Sequence, residues 1–168
     1  MSAGNQTSLF ESINTENTVK AKPKKYTVQK YKLSYVKENA SIGNCCITNK
    51  NDVVEFCTKL LSSIPLENVC IIGLDNGNRI IGYDCIEGTT NQCALYSANV
   101  FRFLLSIAAS SFIISHNHPG NCTSPSEADW QITEKLKAAG KLLDVPLLDH
   151  LIITDNKCVS LRDLPKWN

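Results

Sequence analysis

Between His116 and Asp129 the chain reads HNHPGNCTSPSEAD. This stretch carries two of the chain's three histidines, a tight-turn pair, a helix start and an aspartate. Two imidazoles and one carboxylate suit a catalytic zinc ion, which keeps its fourth position open for water. His116 and His118 are two apart, and in extended backbone such side chains leave the same side. The apolar run SFIIS leads into them, and Asn117 and Pro119-Gly120 are loop formers, so both rings can converge where a strand ends. Asp129 is expected in the second turn of the next helix, on one face with Ser126 three residues earlier. His116, His118 and Asp129 are therefore the predicted ligands of a Zn2+ ion. Such an ion lowers the pKa of water and polarises a carbonyl. A metal-dependent hydrolase is the leading reading.

Hydrolysis also needs a proton acceptor near the water. The motif offers none, because Glu127 is expected to close a capping box. Glu67, Asp75, Asp84 and Glu87 lie upstream. Glu67 stands directly before a core strand, but the residues alone do not choose it over Glu87.

The elements that must hold these groups follow from periodicity. Apolar positions 53, 54, 57, 60 and 61 have helical spacing, with Asn51 or Asp52 as cap and Pro65 as stop. Val69–Leu74 and Arg79–Ile86 read as a hairpin around Asp75-Asn76-Gly77-Asn78. Tyr96–Ala109 reads as a helix and Ser111–Ser115 as a short buried strand. A helix over Pro125–Lys141 is expected, with Ser124 as N-cap and Pro125 at its first position. LLDHLIITD and CVSLR close the pattern as strands, and Tyr31, Leu33 and Tyr35 suggest another near residues 27–36. The result is a mixed sheet with helices packed on it, an α/β or α+β arrangement.

Composition narrows the function classes. With 168 residues and a formal net charge of +1, the chain is expected to be one domain, residues 25–168, behind a disordered tail, residues 1–24. The charge gives no whole-chain argument for nucleic acid. No apolar run approaches the roughly 20 residues that span a bilayer, and the polar N-terminus has no signal-peptide core, so a soluble cytoplasmic protein is expected. The eight cysteines include no CxxC pair and are expected to be mostly reduced thiols. Cys70, in NVCIIGL, reads as a small buried hydrophobe. His150 reads as a hydrogen-bonded core histidine, Trp130 and Trp167 as packing residues, and Asn117 as the residue that orders the turn between the ligands.

These residues resemble the JAB/MPN metalloprotease superfamily, whose metal motif is His-x-His, ten residues, then Asp. The wording is closer to the RadC branch: HNHP, a small-residue turn, Pro125-Ser126, Asp129, and Thr133 further along the helix. Glu67-Asn68-Val69 before Leu74-Asp75, Glu87-Gly88-Thr89, and Leu148-Asp149-His150 are similar to further family segments, so the likeness covers about residues 41–165. Two departures stand out. Pro119 is followed directly by Gly120 where the family has Ser-Gly, and residues 1–40 do not match the helix-hairpin-helix part of many RadC-like proteins.

The resemblance implies a cytidine-deaminase-like three-layer fold, a mixed central sheet flanked by helices. It implies Glu67 as the base that activates the metal's water, and Ser126 as support for the oxyanion of the tetrahedral intermediate. The implied activity is zinc-dependent hydrolysis of peptide or isopeptide amide bonds, with a peptide or protein as substrate. The alternatives are a RadC-like, DNA-repair-associated module that retains metal but works by binding, and a metal-dependent DNA-processing protein. A cleft flanked by an open sheet edge favours the first reading, an occluded metal or an averted Glu67 the second, and a basic groove the third. Oligomeric state stays open.

Overall fold

The computed structural model describes residues 46–88, 95–155 and 157–168, all within the unit Tyr35–Asn168. The strand expected near residues 27–36 and the tail over residues 1–24 lie outside them.

A helix, α1 (Lys50–Leu61), is followed by a hairpin of β1 (Asn68–Leu74) and β2 (Ile80–Glu87). Then come α2 (Ser97–Ser106), β3 (Ser111–Asn117), α3 (Glu127–Leu142), β4 (Leu147–Ile153) and β5 (Cys158–Ser160), with two short 3-10 turns at the end. The sheet runs β2-β1-β3-β4-β5. β1 is antiparallel to both β2 and β3, β3 and β4 are parallel, and β5 is antiparallel to β4. A parallel pair needs a crossover. Here α3 supplies it, so the start of α3 arrives beside the end of β3.

The period-2 alternation of the central strands assigns each residue to a layer. Cys70, Ile72, Leu74, Ile113, Leu151 and Ile153 pack on one face against Val53, Phe56, Cys57 and Leu61 of α1. Ile71, Phe112, Ile114 and Leu147 pack on the other against Val100, Phe101 and Leu104 of α2 and Leu136 of α3. The fold is thus an α/β three-layer arrangement around a mixed sheet, as the resemblance implied. The expected hairpin is present, and Trp130 packs with Ile152 and Leu161 beneath the C-terminal turns. Among the described residues no helix is long and apolar enough to cross a membrane.

Four local expectations need correction. The cap of α1 is Asn49, not Asn51 or Asp52; Asp52 instead closes the capping box, accepting from the backbone N–H of Thr48 and of Asn49. The cap of α3 is Ser126, not Ser124, and its box partner is Asp129, not Glu127. Two overlapping Ser-x-x-acid patterns compete here, and the second prevails because Ser126 Oγ reaches the backbone N–H of Asp129 at 3.1 Å. β3 extends to Asn117, past the expected end at Ser115, so His116 lies within the ladder opposite Val69. Finally, Cys70 and Cys85 are not thiols but a disulfide. The hairpin register sets them face to face with Cα atoms 4.1 Å apart, a juxtaposition that their spacing along the chain does not announce. Cys46, Cys57, Cys122 and Cys158 are free.

Candidate metal centre

The site forms where β3 runs out, beneath the first turn of α3. His116 shares the face of Phe112 and Ile114 by strand alternation, so its ring turns toward α3. It is 1% exposed. His118 continues the strand for one more bond, its N–H donating to the Ile153 carbonyl at 2.9 Å. The chain then turns back, with Asn121 N–H donating to the His118 carbonyl and Asn121 itself at φ 55°. The turn also brings the Cys122 carbonyl to 2.6 Å from His118 Nδ1.

Donor atoms of three residues converge. His116 Nε2 lies 2.9 Å from His118 Nε2 and 3.3 Å from Asp129 Oδ1, and His118 Nε2 lies 3.8 Å from Asp129 Oδ2. His116, His118 and Asp129 are the one group of metal-ligating side chains with this convergence among the described residues. Ser126 fixes the carboxylate: its backbone N–H and its hydroxyl each donate to Asp129 Oδ2 at 2.7 Å. Asp129 is thus the third residue of α3 rather than a member of its second turn. Ser126 itself is exposed at the rim.

The donor set fits a cation of zinc's type. A carbonyl faces His118 Nδ1, so in the neutral ring that nitrogen carries the proton and Nε2 offers a lone pair. Burial pushes His116 down to about 4, with Asp129 opposing and His118 adding to the fall. At neutral pH the 3.3 Å approach of His116 to Asp129 is therefore a contact between a neutral ring and a carboxylate, not an ion pair. If His116 Nε2 is also unprotonated, these acceptor atoms crowd one point, an arrangement that a positive ion among them would relieve. Around a tetrahedral ion with bonds of about 2.0–2.1 Å, donor atoms stand roughly 3.3 Å apart. The observed 2.9, 3.3 and 3.8 Å lie on either side of that separation.

Glu67 reaches this site through the sheet. Val69 pairs with His116, and Glu67 and His118 each lie two residues further toward the same end. Glu67 is half-buried; desolvation raises its carboxyl above the ordinary value, with His118 opposing and Asp129 adding to the rise. It feels both ligands yet is not one of the converging group. Glu87 pairs with Asn68, on the face of α1, and so is turned away from the histidines.

Two features lay beyond the sequence reading. Asn117 does not order the turn between the ligands. Its side chain accepts from Asn68 N–H at 2.7 Å and donates to the carbonyls of Ile64 and Leu66, each at 3.0 Å. It thereby grips the backbone on both sides of Glu67. The only advance signal was its position between two candidate ligands. His150 is a buried, hydrogen-bonded core histidine as expected, but its partners are specific: His116 Nδ1 at 2.8 Å and Thr133 Oγ1 at 2.6 Å. Burial holds its pKa well below the usual value, and His116 and His118 lower it further.

Comparison with known proteins gives a consistent set of relatives. Residues 47–166 match the family described as RadC-like JAB domain. A UPF0758 protein of Clostridium perfringens is 35% identical over 134 residues, covering 79% of this chain and 58% of that protein. One from Flavobacterium johnsoniae is 38% identical over 122 residues, 70% of this chain and 52% of the relative. One from Vibrio cholerae is 34% identical over 126 residues, 74% of this chain and 80% of the relative. The match therefore spans little more than half the length of the first two.

Proposed function

The chain belongs to the RadC-like JAB domain family, and from that membership and the geometry of its site we propose that it hydrolyses peptide or isopeptide amide bonds with Zn2+ held by His116, His118 and Asp129. The observation that carries this reading is the convergence of two Nε2 atoms and one carboxylate, with a second, non-converging carboxyl, Glu67, in electrostatic reach of them.

When bound, the ion supplies Lewis-acid polarisation of a carbonyl and a lowered pKa for water. The chain's own groups do the rest. Glu67 accepts the proton of the attacking water and returns it to the leaving amine, and its partial desolvation makes it a stronger base than a solvated glutamate. Asn117 holds the backbone that carries Glu67. Ser126, at the rim, turns its hydroxyl from Asp129 to the carbonyl oxygen as negative charge develops there. His118, partly exposed, marks the open side through which a peptide or protein substrate enters. A DNA-processing role has less support. Phosphodiester cleavage is more natural to two ions about 3.5–4 Å apart, and the described residues hold one ligand group.

The test uses zinc-loaded wild-type protein and Glu67→Gln against a defined mixture of linear and isopeptide-linked peptides, with newly released amines labelled and read by mass spectrometry. Wild type is expected to release them. Glu67→Gln is expected to keep its zinc and lose activity by roughly 10²-fold or more. Absence of any released amine from zinc-loaded wild type overturns the hydrolase reading.

A further inference from the structure

Behind the metal-facing edge of His116 runs a short chain of hydrogen bonds whose directions follow from the chemistry of its ends. Thr133 Oγ1 lies 2.6 Å from the Asp129 backbone carbonyl. A carbonyl cannot donate, so the hydroxyl proton goes there. Thr133 Oγ1 must then accept from its other neighbour, His150 Nδ1, at 2.6 Å. His150 therefore carries its proton on Nδ1. The ring is 2% exposed, between His116 and Thr133, and a neutral imidazole carries one N–H. Its Nε2 is left as an acceptor, 2.8 Å from His116 Nδ1. His116 must donate there, and its remaining nitrogen, Nε2, faces His118 and Asp129 as a bare lone pair.

We infer that Thr133 and His150 are positioning residues that lock His116 in the tautomer able to ligate a divalent cation, and so set the metal affinity of the site. The chain starts on the backbone of one ligand, Asp129, and ends on the ring of another, His116. It thus ties α3 to β3 through β4 and holds orientation and tautomer together. The opposite set of directions would put a proton on His116 Nε2, where it would block the ion. Groups that fix the tautomer of a ligating histidine in this way commonly change metal affinity 10–100-fold when removed. The inference rests on the reading of His116, His118 and Asp129 as ligands.

The test measures zinc affinity of chelator-stripped protein by competition with a chromophoric chelator, for wild type, Thr133→Val and Thr133→Ser. In parallel, 15N NMR of the histidine rings of metal-free wild type reads the tautomer of His116, which needs no variant to fold. Expected results are an Nδ1-protonated His116, a zinc affinity reduced roughly 10–100-fold in Thr133→Val, and recovery in Thr133→Ser, which keeps the hydroxyl. A merely structural role for Thr133 would lower the unfolding midpoint without moving zinc affinity or the ring nitrogen shifts. Wild-type zinc affinity in folded Thr133→Val, or a proton on His116 Nε2 in wild type, overturns the inference while leaving the ligand reading intact. Wild type that binds no zinc overturns the ligand reading itself, and the inference with it.

Discussion

Asp129→Asn should separate two duties that one carboxylate performs. Oδ2 closes the capping box, accepting from Ser126 N–H and Ser126 Oγ at 2.7 Å each, while Oδ1 lies 3.3 Å from His116 Nε2. Asparagine keeps an oxygen for Ser126 and turns an amide N–H toward His116. Losing a negative charge in the first turn of α3 costs about 0.3–1 kcal/mol. A new hydrogen bond from the amide to His116 Nε2 contributes about 0.5–1.5 kcal/mol in return. Metal-free Asp129→Asn should therefore unfold within about 1 kcal/mol of wild type. Asp129→Ala removes both oxygens, leaves the Ser126 N–H without its partner, and should cost about 1–2 kcal/mol. Zinc affinity follows a different order. Both variants lose the one anionic ligand, so each should bind zinc at least about 10²-fold more weakly, beyond what loss of a supporting group costs. Urea unfolding of chelator-treated protein and zinc competition titration read the two duties separately. Asp129→Asn with wild-type zinc affinity would refute the ligand assignment. Asp129→Asn as unstable as Asp129→Ala would refute the division of labour between the two oxygens.

Metal-free protein should lose stability on mild acidification. The folded state keeps His116 neutral down to about 4, whereas the unfolded ring takes up a proton below its ordinary 6.5. The unfolded state therefore binds more protons between those values, so stability is full above 6.5 and falls as pH drops toward 4. At pH 5.5 this ring contributes a loss of at most about 1.4 kcal/mol. His150, also held neutral by burial, adds to it, while Glu67 and Asp149, whose carboxyls burial raises, oppose it. Urea midpoints at pH 7.5 and 5.5 give the check, and equal or greater stability at the lower pH would contradict it. Asn117→Ala breaks three bonds to the backbone around Glu67 from a side chain that is 4% exposed, and should destabilise the fold by about 2–4 kcal/mol. It should also bind zinc while losing activity as Glu67→Gln does; full hydrolysis in folded, zinc-loaded Asn117→Ala would show that the grip on residues 64–68 does not position the glutamate.

Local chemistry alone made much of this protein legible. His116 and His118 share a side because strand side chains alternate, and that rule needs only two residues of sequence. The hairpin at Asp75–Asn78 and the apolar runs of β1, β3 and β4 were visible for the same reason: turn residues and periodicity are short-range signals. The cap of α3 is a local matter too, since two Ser-x-x-acid patterns overlap by two residues and only the realised contact separates Ser126 from Ser124. Local chemistry did not choose among the upstream acids; the resemblance did, and strand register separates their positions. Asp75 lies past the far end of β1, Asp84 pairs with Ile71 inside the sheet, and Glu87 pairs with Asn68 on the α1 face. Only Glu67 shares both the sheet end and the face of the histidines, and the antiparallel register of β1 on β3 is what puts it there. The same holds for Asn117 against Ile64–Asn68, for His150 behind His116, and for Cys70 against Cys85. Each of these pairs partners far apart in the chain through strand register, and a shift of one residue in register would turn every one of those side chains to the opposite face.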